Sequence, residues 1–128
     1  MSVIDEREVK RPFAVSLIKL RRGFLQGVHE DLDRAVGGVT DTKWLDGGEQ
    51  VNFYLSLSGV VFEIRLKWKL GIAANPLNDD SYLISALYDA WSDGQNEYGV
   101  ADFHVLKNST NTVALGLLKQ LQAVAGKF

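Results

Sequence analysis

Residues 51–72, VNFYLSLSGVVFEIRLKWKLGI, alternate apolar and polar side chains and change phase once, at Ser58-Gly59. Before that dipeptide the apolar positions are odd (Val51, Phe53, Leu55, Leu57). After it they are even (Val60, Phe62, Ile64, Leu66, Trp68, Leu70, Ile72). A period of two marks a strand with one buried face, and a phase change at a two-residue loop lets both strands of a hairpin bury the same face. The register this predicts pairs Leu57 with Val60, Leu55 with Phe62, Phe53 with Ile64 and Val51 with Leu66. The opposite face then carries Asn52, Tyr54, Ser56, Val61, Glu63, Arg65, Lys67 and Lys69.

Working outward, the chain before this hairpin reads as one amphipathic helix. From Pro12, a residue favoured in a first helical turn, the apolar positions Phe13, Leu17, Leu20, Phe24, Val28, Leu32 and Ala35 recur at intervals of three and four. Gly37-Gly38 stands where a left-handed cap would end the helix. Residues 39–50 are rich in turn formers, with a loop or bulge expected at Asp46-Gly47-Gly48 and Trp44-Leu45 docking on the sheet. After the hairpin, Ser81 is a helix N-cap candidate beside Asp79 and Asp80. Leu83, Ala86, Leu87, Ala90 and Trp91 then trace a short helix stopped at Gly94. Residues 100–107 read as a strand, and Val113, Leu117, Leu118, Leu121, Val124 and Ala125 as a terminal helix closed by Gly126.

These elements predict a single α+β domain over residues 1–128. In it a small antiparallel sheet, the central hairpin 51–70 plus a strand near 100–107, packs against a long N-terminal helix and two shorter helices. The order helix, strand, strand, helix, strand, helix is similar to that of small dimeric adaptors of the roadblock kind and of type III secretion chaperones. That likeness is of element order, with no shared residue motif.

Composition narrows the function classes. At 128 residues, with 46% hydrophobic and 23% charged residues, the chain can bury a core without covalent staples. The lack of cysteine excludes disulfides, thiolate metal sites and a cysteine nucleophile, and two histidines leave little from which to build a zinc site. No metal and no cofactor are expected. The first dozen residues mix acids and bases where a signal peptide needs an apolar run, so a cytoplasmic protein without membrane contact is expected. The net charge of -2 hides segregation. Residues 1–28 carry six bases against three acids, whereas residues 73–103 hold Asp79, Asp80, Asp89, Asp93, Glu97 and Asp102 and no base. Such blocks favour oriented docking of one surface on another, within a molecule or between copies.

Candidate chemistry is sparse. His29 sits beside Glu30 and Asp31, but consecutive helical residues point in different directions, as on an ordinary helix surface. Asp102 and His104, two apart on a strand, share a face and could exchange a hydrogen bond, though no nucleophile is tied to them by spacing. The acidic run 89–97 lacks the ligand spacing of a calcium loop. Gly23 and Gly27 leave room either for a close neighbour or for a bend in the helix. Arg21 falls inside the apolar stripe, where a guanidinium pairs with an acid or meets an anionic ligand. Tyr54 with Arg65, Lys67 and Lys69 forms the one constellation that reads as a partner-binding surface.

The expectation that follows is a non-enzymatic protein-binding or assembly module, homo-oligomeric or part of a larger assembly. A nucleic-acid-associated module using the basic sheet face is the first alternative, and a small enzyme or ligand binder around Asp102, His104 and Arg21 is the second. The sequence pI of about 5.6 weighs against nucleic acid.

Overall fold

The structure, a computed structural model, describes residues 6–70, 82–105 and 109–128 of the chain. A helix α1 (Glu6–Val36) leads into five strands and a closing helix α2 (Thr110–Ala125). The strands are β1 (Thr40–Leu45), β2 (Gln50–Leu57), β3 (Val60–Leu70), β4 (Tyr82–Ser92) and β5 (Gln95–His104). Each pairs antiparallel with its neighbours in sequence, so the sheet is a meander in the order β1-β2-β3-β4-β5.

The hairpin has the predicted register: Leu57 faces Val60, Leu55 faces Phe62, Phe53 faces Ile64 and Val51 faces Leu66. Its turn uses left-handed backbone at both positions, with φ of 51° at Ser58 and 80° at Gly59. That is the turn whose twist matches the strands it joins. Phe53, Phe62, Ile64 and Leu66 are fully buried beneath the helices, each worth about 1.5–3 kcal/mol of transfer free energy.

Helix α1 begins at Glu6, ahead of Pro12, and ends where the glycine pair predicts. Gly37 adopts φ of 77° and donates its N–H to the Asp33 carbonyl at 2.8 Å, satisfying a carbonyl that a helix end leaves open. Among the α1 side chains that are described, Leu25, Val28 and Leu32 are fully buried, Phe24 is partly buried and Ala35 is exposed, so Leu25 joins the predicted Val28 and Leu32 in the core while Ala35 does not. Ser109 caps α2, its hydroxyl accepting the Thr112 N–H at 3.2 Å, and Val113, Leu117, Leu121 and Val124 turn into the core. One hydrophobic cluster takes in both helices and strands β2, β3 and β4.

The expected helix over 83–91 is instead β4, leaving two helices rather than three. Ile84, Ala86, Tyr88 and Ala90 are buried under the helices, while Leu83, Ser85, Leu87, Asp89 and Trp91 face the other way. Apolar side chains on both faces disguised the period of two, and alanine at 86 and 90 imitated a helix. Gly94, expected to stop that helix, instead forms with Asp93 the two-residue turn from β4 to β5, with φ of 48° at Asp93 and 80° at Gly94. The strand expected at 100–107 accordingly starts earlier, at Gln95, and ends at His104. Residues 40–45 also form a strand where only loop and docking residues were expected. The observed order therefore no longer follows the one that resembled the adaptors and chaperones. Ile72, Asp79, Asp80 and Ser81 lie outside the described residues, as do the side chains of Pro12, Phe13, Leu17 and Leu20.

The two helices touch where Gly27 meets Thr110. A Cβ on Gly27 would lie 2.7 Å from Thr110 Cγ2, and the Thr110 hydroxyl is itself held by Asp31 Oδ2 at 2.8 Å. Gly23 has nothing within 4 Å of its would-be Cβ. Gly23→Ala should therefore raise stability by up to about 1 kcal/mol through helix propensity. Gly27→Ala should lower it by about 1–3 kcal/mol, because a hydrogen-bonded, β-branched neighbour cannot move aside cheaply. Urea denaturation of the two variants checks this; equal and positive shifts would mean that the helices do not approach at Gly27.

Candidate functional site: the open face of the sheet

Both helices cover the same face of the sheet, and the register places the other face in rows. Across β1 to β5 one row runs Thr40, Tyr54, Glu63, Asp89, Tyr98; the next runs Lys43, Asn52, Arg65, Leu87, Val100. On one side lie Gln50, Lys67, Ser85 and Asp102, then Lys69, Leu83 and His104; on the other lie Ser56, Val61, Trp91 and Asn96.

Within these rows acids and bases meet across strands. Arg65 Nη2 reaches Asp89 Oδ2 at 3.1 Å, while its Nε lies 3.6 Å from Glu63 Oε1, beyond hydrogen-bonding distance. The Tyr54 hydroxyl donates to Glu63 Oε2 at 2.5 Å, and this bond, made by the neutral phenol, pushes its pKa above the ordinary value of 10.0. Ser85, buried, donates to Asp102 Oδ1 at 2.5 Å, and Lys69 Nζ lies 3.9 Å from Asp102 Oδ2. Lys67 remains exposed.

Apolar side chains stand among the charges. Trp91 is 39% exposed and meets the Tyr54 ring edge-on at 6.3 Å; Val100 is 56% and Tyr98 77% exposed. Leu87 and Val61 are half-buried in the same face. An open cleft of about 310 Å³ lies beside Tyr54, bordered by Gly37, Gly38, Thr40 and Asp41.

The residues singled out from sequence fall in two places. Tyr54, Arg65, Lys67, Lys69, Asp102 and His104 all share the open face, as their parity requires. Arg21 does not join them. It lies on the helix side, its Nη1 2.8 Å from Glu49 Oε1 and its guanidinium 5.7 Å from the centre of the Trp68 ring, whose Nε1 donates to the Arg21 carbonyl at 3.0 Å. Arg21 is thus paired with an acid, the structural role its place in the stripe allowed. Leu87, Asp89 and Trp91 escape the sequence reading because residues 83–91 read as a helix, Tyr98 precedes the strand expected at 100–107, and Val100, inside that strand, has no polar group to single it out. The Asp-Gly turn flanked by β-forming residues was the signal for them.

Chemically, this face combines cross-strand polar and charged pairs and the exposed Lys67 with exposed aromatic and aliphatic groups. A hydrolytic triad needs the imidazole between serine and carboxylate, but Ser85 gives its proton directly to Asp102. Among the described residues no group of three or more His, Asp or Glu is placed to hold a metal ion. No described helix is long and apolar enough to cross a membrane. No family model, curated protein or solved structure matches the chain.

His29 is set between α1 and the sheet, Nε2 2.8 Å from Thr42 Oγ1 and its ring edge-on to Phe53 at 5.0 Å. Burial lowers its pKa from 6.5, opposed by Asp33 and Glu30. The unfolded chain therefore binds this proton more readily, so the stability contribution present above pH 6.5 is lost as pH falls through the lower folded value. In His29→Gln, the loss of denaturation midpoint between pH 7.5 and 5.5 should be smaller than in the parent; an unchanged slope would exclude His29 as its source.

The charge pairs make a second expectation. A double-mutant cycle with Arg65→Met and Asp89→Asn should return a favourable coupling of about 0.2–1 kcal/mol, since both side chains remain partly exposed. Thermal denaturation of the four proteins measures it, and a coupling of zero would mean that the pair is ornamental.

Proposed function

We propose that the chain is a non-enzymatic protein-binding or assembly module, working as an oligomer, and that the open sheet face is its docking surface for a protein partner. The observation that carries this reading is the exposed Trp91, Tyr98 and Val100 beside half-buried Leu87 on a face that neither helix covers. Aromatic side chains held on a rigid sheet supply contact area at little conformational cost, and they are the residues that anchor protein interfaces. Their charged neighbours support the same reading. Arg65 is engaged by Asp89, and Lys69 lies beside Asp102, so much of the positive charge that phosphate binding would draw on is already compensated.

Leu87→Ser combined with Trp91→Ser tests the face, because both side chains point away from the core and the fold should survive. With the parent immobilised in an extract of the native host, proteins retained by the parent should be lost from the folded double variant. Recovery of the same proteins by both would reject this face as the docking surface. Retention of single-stranded RNA or DNA that weakens with salt and disappears in a triple Arg65→Ser, Lys67→Ser, Lys69→Ser variant would replace the protein reading with the nucleic-acid one.

A further inference from the structure

The two margins of the sheet are built differently. β1 is six residues long, its pairing with β2 shifts between Thr40 and Lys43, Asp41 sits at φ of 54°, and Lys43 stands on the strand. Bulges and lysines are the devices that keep an edge from pairing further. β5 has neither: Gln95–His104 contains no proline and no lysine, and its register with β4 runs without a break from Gln95 to His104.

The turn fixes which backbone groups β5 presents outward. A two-residue loop makes the closing pair, Ser92 and Gln95, a hydrogen-bonded one, and such pairs then alternate along the ladder. The odd residues of β5 therefore spend their N–H and C=O groups on β4. By the same alternation Asn96, Tyr98, Val100, Asp102 and His104 direct theirs to the outer margin, where no other described strand pairs, and their side chains lie on the open face.

We propose that β5 pairs antiparallel with β5 of a second copy of this chain, with Val100 on the two-fold axis. This names a partner for the assembly module proposed above and rests on the oligomeric part of that reading. In a two-fold pair of strands the residue numbers of every facing pair have the same sum. A sum of 200 sets Val100 against Val100, Tyr98 against Asp102 and Asn96 against His104, so all five outward residues are used. Sums of 198 and 202 leave one of the five without a mate, and 204 brings Asp102 onto Asp102. The chosen register also keeps acid from acid on the other face, where Glu97 meets Phe103, and it lets the Tyr98 hydroxyl donate to the Asp102 carboxylate of the other copy. The result is one continuous sheet with the two open faces side by side.

The chain has no cysteine, so one introduced thiol reports the register. Facing residues in a hydrogen-bonded antiparallel pair have Cα atoms about 5.5 Å apart, within disulfide reach. Val100→Cys should oxidise to a covalent dimer at native fold. Asn96→Cys should not, since the two copies of position 96 would stand roughly 26 Å apart. Sedimentation should give a dimer for the parent and a monomer for Val100→Lys, which sets like charges on the axis while altering an exposed side chain. Val100→Pro, which removes an outward N–H, should behave the same way if it folds; if it does not, the lysine variant decides. A parent that is monomeric up to its solubility limit, a dimer that survives Val100→Lys, or a dimer that Val100→Cys fails to cross-link would each overturn the pairing. The docking-face reading is judged apart: a monomeric parent whose partner capture still depends on Leu87 and Trp91 rejects only the edge dimer. A cross-linked dimer whose captured proteins ignore those residues rejects only the docking face.

Discussion

β3 must keep Val60, Phe62, Ile64 and Leu66 out of water, and the remainder of the molecule is arranged around that constraint. A strand has two neighbours and two faces. β2 and β4 supply the neighbours, and α1 and α2 are laid over the apolar side, where Leu25, Val28, Leu32, Leu117 and Leu121 close it. Because side chains alternate strictly, fixing Phe62 inside also fixes Glu63 and Arg65 outside, and the phase passes through each register to the next strand. The positions of Asp89 and Tyr98 are thus set by the same residues that build the core.

The outer face turns that inheritance into a surface with particular chemistry. Arg65 and Asp89 come from different strands, as do Tyr54 and Glu63, and Ser85 and Asp102. Each pair ties two strands together, and the Arg65–Asp89 pair also offsets opposite charges that a partner would otherwise meet. Between the pairs the exposed groups include the aromatic and aliphatic Trp91, Tyr98 and Val100 as well as Lys67, and the apolar ones are of the kind found at the centre of a protein interface.

Legibility in the sequence followed how one-sided each element is. Residues 51–70 have one apolar and one polar face, so alternation alone predicts strand, turn and pairing, and each named pair is met. α1 is legible from its glycine cap and from Val28 and Leu32, which are fully buried on the predicted line, with Leu25 buried beside them. β4 is not legible by the same rule. Leu83, Leu87 and Trp91 are apolar on the outer side while Ala86 and Ala90 are small on the inner side, so the hydrophobic pattern carries no clear period. The candidate site suffered in proportion: residues on β2 and β3 were placed on the right face, Asp102 and His104 were found on β5, and the aromatic half contributed by Trp91 and Tyr98 went unseen. Arg21 reads from sequence chiefly as paired with an acid and secondarily as a ligand contact, and it takes the folded chain to show that Glu49 is the acid beside it.

The meander has a consequence for how the chain reaches this state. Every strand pairs with its neighbour in sequence, and β2–β3 and β4–β5 close through two-residue turns, so much of the sheet can zip from local contacts with small loop-closure entropy. The helices are the opposite case. Thr110 reaches Asp31 across most of the chain, and Gly27 admits it only once the sheet has brought the two ends together. The contact between the helices is therefore a late event by topology, and the site where they meet marks the passage from a collection of hairpins to a closed domain.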